Sequence, residues 1–325
     1  MRIFTERIFL MNKLINLTHE QGRDYGTGLV KFNHHLKETG LFDDEKLAEL
    51  IDKTPREFYM ITHMNVEGKK MIWRNGDFNG LSGKEVIEAI KQGQLWLCLR
   101  GIEKFSPEHH EVMEQAFGEV AAVTPHVKTD RSQTHILISS PNASVLYHTD
   151  IPIIHHWHVR GKKRFFLWDE KDKKVLPNET LEAVILRETE EEIHYEKNWD
   201  EFASVIDLEP GISCTWPQNG PHKVDNLDGL NVSVVAEYFT PQAKRKYGVY
   251  YANGFMRRYL RMNPTSTSTE GLAAYAKCAL ALILKKVKVA QAKEREMMLS
   301  FLLDPKNIGE IINLKSNEHR PITQL

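Results

Sequence analysis

Between Thr134 and Phe239 the chain keeps returning to short runs of β-branched and aromatic residues: HILIS, SVLYH, RFFLW, AVILRE and VVAEYF. Each run is cut off by a turn signal: Ser140-Pro141-Asn142, Arg160-Gly161, Pro210-Gly211, Asn219-Gly220-Pro221 and Asp228-Gly229. Many short strands at this spacing can bury their apolar faces only against one another, so the segment predicts a sandwich or barrel. The flanks read differently. Upstream, Asp43 looks like the N-cap of EKLAELIDK, Ser82-Gly83-Lys84-Glu85 is a capping box, LWLCL is a strand, and Ser106-Pro107-Glu108 opens a helix. Downstream, the polar loop NPTSTSTE leads into a helix over Leu272 to Leu284, and helical spacing continues through KKVKVAQAKEREMMLSFLL. The division is therefore 1–130 as an N-terminal α/β extension, 131–240 as a β-rich core, and 241–325 as a helical region. The apolar stripe of the last region reads as packing within the chain, with association of two copies through these helices as the second reading.

Bulk properties narrow the function. Lys plus Arg (43) nearly balance Asp plus Glu (44), leaving a formal charge of -1, so no overall electrostatic grip on nucleic acid is indicated. Cys98, Cys214 and Cys278 are far apart and form no Cys-x-x-Cys pair. A disulfide framework is not expected, and a reducing cytoplasm is the natural setting. The opening MRIFTERIFLMNKLINLTHE carries scattered charges where a signal peptide needs an unbroken apolar core. No apolar run is long enough to cross a bilayer.

Chemistry concentrates in LYHTDIPIIHHWHVRGKKRFFLW, Leu146 to Trp168. Side chains two apart on a strand share a face, so His148 and Asp150 converge on one point. A third group, His222, follows the turn PQNGP and would arrive on a separate strand. Two imidazoles and a carboxylate make a facial triad with open positions, a pattern typical of non-haem Fe(II); zinc would favour a fourth ligand or a tetrahedral site. Among the neighbouring histidines, His156 and His158 share one face while His155 takes the other, and His156 is the one assigned to the pocket lining. His34-His35 and His109-His110 read as surface groups on helices. Lys162, Lys163 and Arg164 read first as a solvated basic turn. A basic side chain starting a buried strand, however, would suit the far carboxylate of a dicarboxylate ligand. The run Glu188 to Glu192 reads as a solvated face. Trp157 and Trp216 read as core before they read as platforms for a substrate.

With these residues in view, the chain resembles the JmjC/cupin-like Fe(II)- and 2-oxoglutarate-dependent dioxygenases, most closely the asparaginyl-hydroxylase-like jumonji group. LYHTD resembles the strand carrying the first His and Asp. VRGKKRFFLW resembles the following hairpin, and LEPGISCTWPQNGPHKV resembles the strand delivering the last His. The resemblance covers about residues 130–240. It implies a double-stranded β-helix (cupin, jelly-roll) within an α+β, mainly β fold, with N-terminal α/β additions and C-terminal helices. It implies Fe(II) held by His148, Asp150 and His222, with 2-oxoglutarate and O2 as co-substrates and no catalytic side chain beyond the ligands. Lys163 would grip the distal carboxylate of 2-oxoglutarate, with His156 and Ser233 as further contacts. The reaction would be hydroxylation of a small molecule or protein side chain, or demethylation through hydroxylation, with release of succinate and CO2. Ile212, Val145 and Pro221 depart from the family pattern, which leaves the ligand set intact and the co-substrate contacts open. A cupin-type metalloenzyme that does not use 2-oxoglutarate, and a non-catalytic metal-binding relative, are the alternatives.

Overall fold

A computed structural model describes residues 13–67, 70–189, 193–287 and 297–322. The opening twelve residues, the acidic positions 190–192, and 288–296 of the predicted helical continuation lie outside the described residues. The strands are β1 (Ile15–Asn16), β2 (Val30–His34), β3 (Tyr59–Glu67), β4 (Lys70–Asp77), β5 (Leu95–Arg100), β6 (Asp130–Ser139), β7 (Ser144–His148), β8 (Ile153–Leu167), β9 (Ser204–Leu208), β10 (Ile212–Thr215), β11 (His222–Phe239), β12 (Met298–Leu303), β13 (Ile311–Asn313) and β14 (Arg320–Pro321). They form one sheet system in the order β1-β2-β10-β8-β11-β6-β5-β3-β4-β12-β13, with β7 on β11, β9 on β8 and β14 on β12. Among the described residues the α-helices are α1 (His19–Gly22), α2 (Asp44–Lys53), α3 (Gly83–Gln92), α4 (Pro107–Val123), α5 (Asn178–Ile185), α6 (Pro241–Tyr259) and α7 (Leu272–Lys286). The mainly β, jelly-roll expectation is met. Among the described residues no helix is long and apolar enough to cross a membrane.

Two long strands organise the core. β8 and β11 pair antiparallel twice, once over Phe165–Val224 and its neighbours and again over His158–Ser233 to Ile153–Tyr238, with register shifts between. The predicted turns at Arg160-Gly161 and Asp228-Gly229 are thus corners inside continuous strands, not strand ends. Gly161 sits at φ +78°, and a Cβ there would lie 2.7 Å from the Asn231 side chain, so the corner requires glycine. Before the corner β8 is buried on both faces. His155, Trp157 and Val159 point to one side, where Trp157 and Val159 join a cluster with Val232, Val234, Ile136 and Leu97 beneath α2, α3 and α4. Ile154, His156 and His158 point into the interior, where Ile154 packs with Phe165, Leu167, Leu208, Cys214, Trp216 and Val235. Past the corner the interior face passes to Lys163, Phe165 and Leu167.

The flanking caps fall where the residues place them. Asp43 accepts from Lys46 N, and Ser82 with Glu85 closes a capping box. Two expectations fail. AVILRE is not a strand: Leu181, Val184 and Ile185 fall at helical spacing and form the buried stripe of α5. MLSFLL is not helical: β12 pairs parallel to β4 and buries Leu299, Phe301 and Leu303 on alternate positions. Both are short apolar runs whose period is ambiguous until a partner surface selects it. α7 packs its Ala274, Ala281 and Leu284 side inward and leaves Leu272, Tyr275, Leu282 and Ile283 exposed. α5 and α6 are joined by Glu182, fully buried between Arg257 (3.0 Å) and Arg258 (3.3 Å). Glu188 also pairs with Arg258.

The reading of His34 and His109 as surface groups is wrong. His34 ends β2 and His109 lies in α4, both buried, while His35 and His110 are partly exposed. Paired polar groups make that burial affordable. His34 donates from Nε2 to the His158 carbonyl and accepts from Leu36 N at Nδ1. His109 donates from Nε2 to the Leu41 carbonyl and accepts the Ser106 hydroxyl at Nδ1. Each ring is thus satisfied in its neutral form, and burial lowers both pKa values to about 4. The unfolded chain binds these protons near pH 6.5, so it carries more protons than the native state between about pH 6.5 and 4. Stability is full above that window. It is expected to fall by about 1.4 kcal/mol per pH unit for each such histidine as the pH drops through the window. Urea midpoints across this range should show the slope, and His109→Gln should remove one proton's share of it; a flat profile would refute the assignment.

Candidate metal centre

His148 is the last residue of β7, Asp150 lies two residues further in the loop, and His222 opens β11 directly opposite His148. One strand pairing therefore brings together groups 72–74 residues apart in sequence. His148 Nε2 lies 3.9 Å from Asp150 Oδ1, His222 Nε2 lies 3.5 Å from Asp150 Oδ2, and all three donor atoms fall within 4.8 Å of one another. Two ligand atoms at about 2.1 Å from one ion, at right angles, stand about 3 Å apart. Closing onto an ion would draw the Asp150 pairs in by up to about 1 Å, and the widest pair by up to about 1.8 Å.

The ring orientations fit the same task. His148 Nδ1 donates to the Leu146 carbonyl at 2.7 Å, and His222 Nδ1 donates to the Gly220 carbonyl at 3.1 Å. A carbonyl can only accept, so Nδ1 carries a proton in both rings, which turns Nε2 towards Asp150 as the atom able to present a lone pair. Burial lowers the pKa of His222 well below the usual value, keeping it a neutral donor. Burial also raises the Asp150 carboxyl above its ordinary range, against the opposing pull of His148. A carboxylate facing two imidazole nitrogens is a donor set that suits a divalent ion. The three side chains converge from two strands and a loop, and they are the donor types that a facial triad uses. Trp216 packs edge-on to the His222 ring at 4.8 Å, and both are buried, so Trp216 braces that ring. Trp157 is stacked on His155 on the opposite face, at 3.6 Å.

Deeper in the barrel, Lys163 is 4 % exposed. Burial lowers its pKa to about 8, and among the described residues its ammonium has no hydrogen-bond or ion-pair partner. It is therefore not the solvated turn that its basic neighbours are: Arg164 pairs with Asp207 and Lys162 with Glu209 at the surface. On the same face, His156 is buried with its Nε2 atom lacking a partner. An unpaired buried cation and an unpaired imidazole nitrogen on one face are groups that an anion would satisfy. Ser233 is fully buried there too, but in contact with His158. His158 Nε2 donates to the Gly161 carbonyl, so its Nδ1 accepts the Ser233 hydroxyl hydrogen at 3.1 Å. Only a lone pair of Ser233 is left for another ligand.

Sequence reasoning passed over Thr149, Gln218 and Asn219, which tie the loop of Asp150 to the turn before His222. Thr149 donates to the Asn219 carbonyl, Asn219 to the Asp150 carbonyl, and Gln218 to the Ile151 carbonyl, at 2.8, 2.8 and 2.9 Å. Asn219 stands at φ +65°. The signal was present in Asn219-Gly220-Pro221, which was read as a turn and nothing more.

No family model and no curated protein matches the chain. Similar structures exist. An X-ray structure of E. coli ycfD aligns over 84 % of this chain and 68 % of its own, with 14 % identity and a TM-score of 0.50. A crystal structure of Escherichia coli ribosomal oxygenase YcfD aligns over 91 % and 76 %, with 13 % identity and a TM-score of 0.48. The non-heme alpha ketoglutarate dependent carbocyclase SnoK from nogalamycin biosynthesis aligns over 69 % and 84 %, with 11 % identity and a TM-score of 0.42. At these identities the likeness to E. coli ycfD is one of fold.

Proposed function

We propose that the chain is an Fe(II)- and 2-oxoglutarate-dependent oxygenase. The observation that carries this reading is the meeting of His148, Asp150 and His222 within 4.8 Å, with the unpaired ammonium of Lys163 on the interior face of the same barrel. His148, Asp150 and His222 would hold Fe(II) through Nε2, a carboxylate oxygen and Nε2. With 2-oxoglutarate and O2, the iron supplies an oxidant able to hydroxylate an unactivated C–H bond, with succinate and CO2 as co-products. The protein's own part is placement. The carbonyls of Leu146 and Gly220 hold the two imidazoles in the donor tautomer. Lys163 pairs with the distal carboxylate of the co-substrate, and His156 Nε2 offers it a second polar contact. Ile154, Leu208, Cys214, Val224 and Val235 keep the interior dry, which strengthens these charged contacts.

The substrate is a small molecule or a protein side chain, and the exposed stripe Leu272, Tyr275, Leu282 and Ile283 of α7 is where a second copy would associate, a state that light scattering reads directly. Anaerobic Fe(II) and 2-oxoglutarate test the central reading. Bidentate chelation should give a weak metal-to-ligand charge-transfer band in the visible. A protein that binds Fe(II) yet never develops the band would favour a cupin-type metalloenzyme that does not use 2-oxoglutarate.

A further inference from the structure

Asp150 is the one member of the triad that stands outside a strand, so the sheet ladder that fixes His148 and His222 does not extend to it. What fixes it is the side-chain clip of Thr149, Gln218 and Asn219. All three are buried, at 0 %, 6 % and 2 % exposed, so their bonds are shielded from competing water. The clip is itself held from outside. Lys246, on the second turn of α6, donates from Nζ to the Gln218 carbonyl at 2.7 Å. The position of Lys246 is set by a rigid helix. Gly248 of α6 lies so close to Cys278 of α7 that a Cβ would come within 2.9 Å of its sulfur. Further along, Arg257 and Arg258 grip the buried Glu182. The groups around the ammonium are Asp169, Glu170, Lys171 and Lys173, of mixed sign, and among the described residues none of them forms an ion pair with it. Its one hydrogen bond goes to the clip.

We infer that Lys246 is a positioning residue for the metal centre: through Gln218 and Asn219 it holds the Asp150 loop in register, so the seating of α6 sets the affinity for the ion. The path runs from Lys246 Nζ to the Gln218 carbonyl, and from the Gln218 and Asn219 amides to the Ile151 and Asp150 carbonyls. None of these residues touches the ion. The inference rests on the triad being a metal site.

The test is a titration of the full-length apoprotein with Co(II) or Mn(II), read by calorimetry, with thermal unfolding of the apoprotein measured alongside. Lys246→Met keeps the aliphatic stem and removes the donor, and it should weaken binding by about 10-fold, the lower end of the range for partners bonded directly to a ligand, since Lys246 acts one step further out. Asn219→Gly keeps the left-handed backbone and removes only the amide, and it should do the same with little change in Tm. Lys244→Met, on the exposed side of the same helix where Lys244 pairs with Asp130, should bind as the wild type does. Wild-type affinity in Lys246→Met overturns the inference. If Lys246→Met does not fold, Gln218→Leu decides, since it cuts the rung to Ile151 with Lys246 intact: wild-type affinity there overturns the inference equally. A wild-type protein that binds no ion would instead overturn the metal reading beneath it, so the two failures are distinct.

Discussion

Asp150→Ala is expected to abolish stoichiometric binding of Fe(II) or Co(II), and with it the visible band formed on adding 2-oxoglutarate. Asp150 supplies the negative charge of the ligand set and lies within 4 Å of both imidazole Nε2 atoms. Outer partners alone change metal affinity by about 10- to 100-fold, so loss of an inner ligand that also carries the charge should exceed about 100-fold. Stability should move the other way or not at all. In the apoprotein the Asp150 carboxylate, 19 % exposed, faces two imidazole nitrogens, and partial burial already disfavours its charge. Removing it relieves that cost, so the apo Tm should hold or rise. A structural ion-pair role predicts the opposite pattern: a lower apo Tm with metal affinity unchanged. Equilibrium dialysis and thermal unfolding of the same two proteins separate the cases.

This prediction rests on residues that the sequence exposes well, and the reason is local. His148 and Asp150 are two apart, and strand periodicity fixes how such a pair points. β7 ends at His148, so the loop completes the pair rather than the strand, yet the spacing still served. His222 needed a long-range pairing that no local rule supplies. It was reachable through the resemblance, and the structure puts it opposite His148. The histidines His34 and His109 were misread because exposure depends on partners from distant segments, the His158 and Leu41 carbonyls, which no window around either residue contains. The same holds for Lys246, whose partner Gln218 is 28 residues away. MLSFLL fails for a different reason: its alternating burial exists only because β4 presents a free edge for it. Capping boxes and turn signals were legible because their physics closes within four residues.

Lys163→Met should separate the two roles of a buried cation. If the ammonium is there for an anion, its contribution appears only when the anion is bound. A charge-assisted hydrogen bond is worth roughly 1.5–3 kcal/mol, so the apparent KM for 2-oxoglutarate should rise about 10- to 100-fold. Affinity for Co(II) alone should be unchanged, because Lys163 does not touch the three ligands. In the apoprotein the ammonium is enclosed with its pKa lowered to about 8 and no partner among the described residues. Methionine fills similar space without that penalty, so the apo protein should gain roughly 1 kcal/mol or more. The gain should shrink as pH rises through about 8. There the native lysine gives up its proton while the unfolded chain still holds one, so the wild type no longer carries the buried charge. A variant that is stabilised, binds metal normally and has lost its hold on 2-oxoglutarate fits a site in which stability is given up for recognition. A variant with unchanged KM for 2-oxoglutarate would instead leave Lys163 as a packing residue and take the co-substrate out of this pocket.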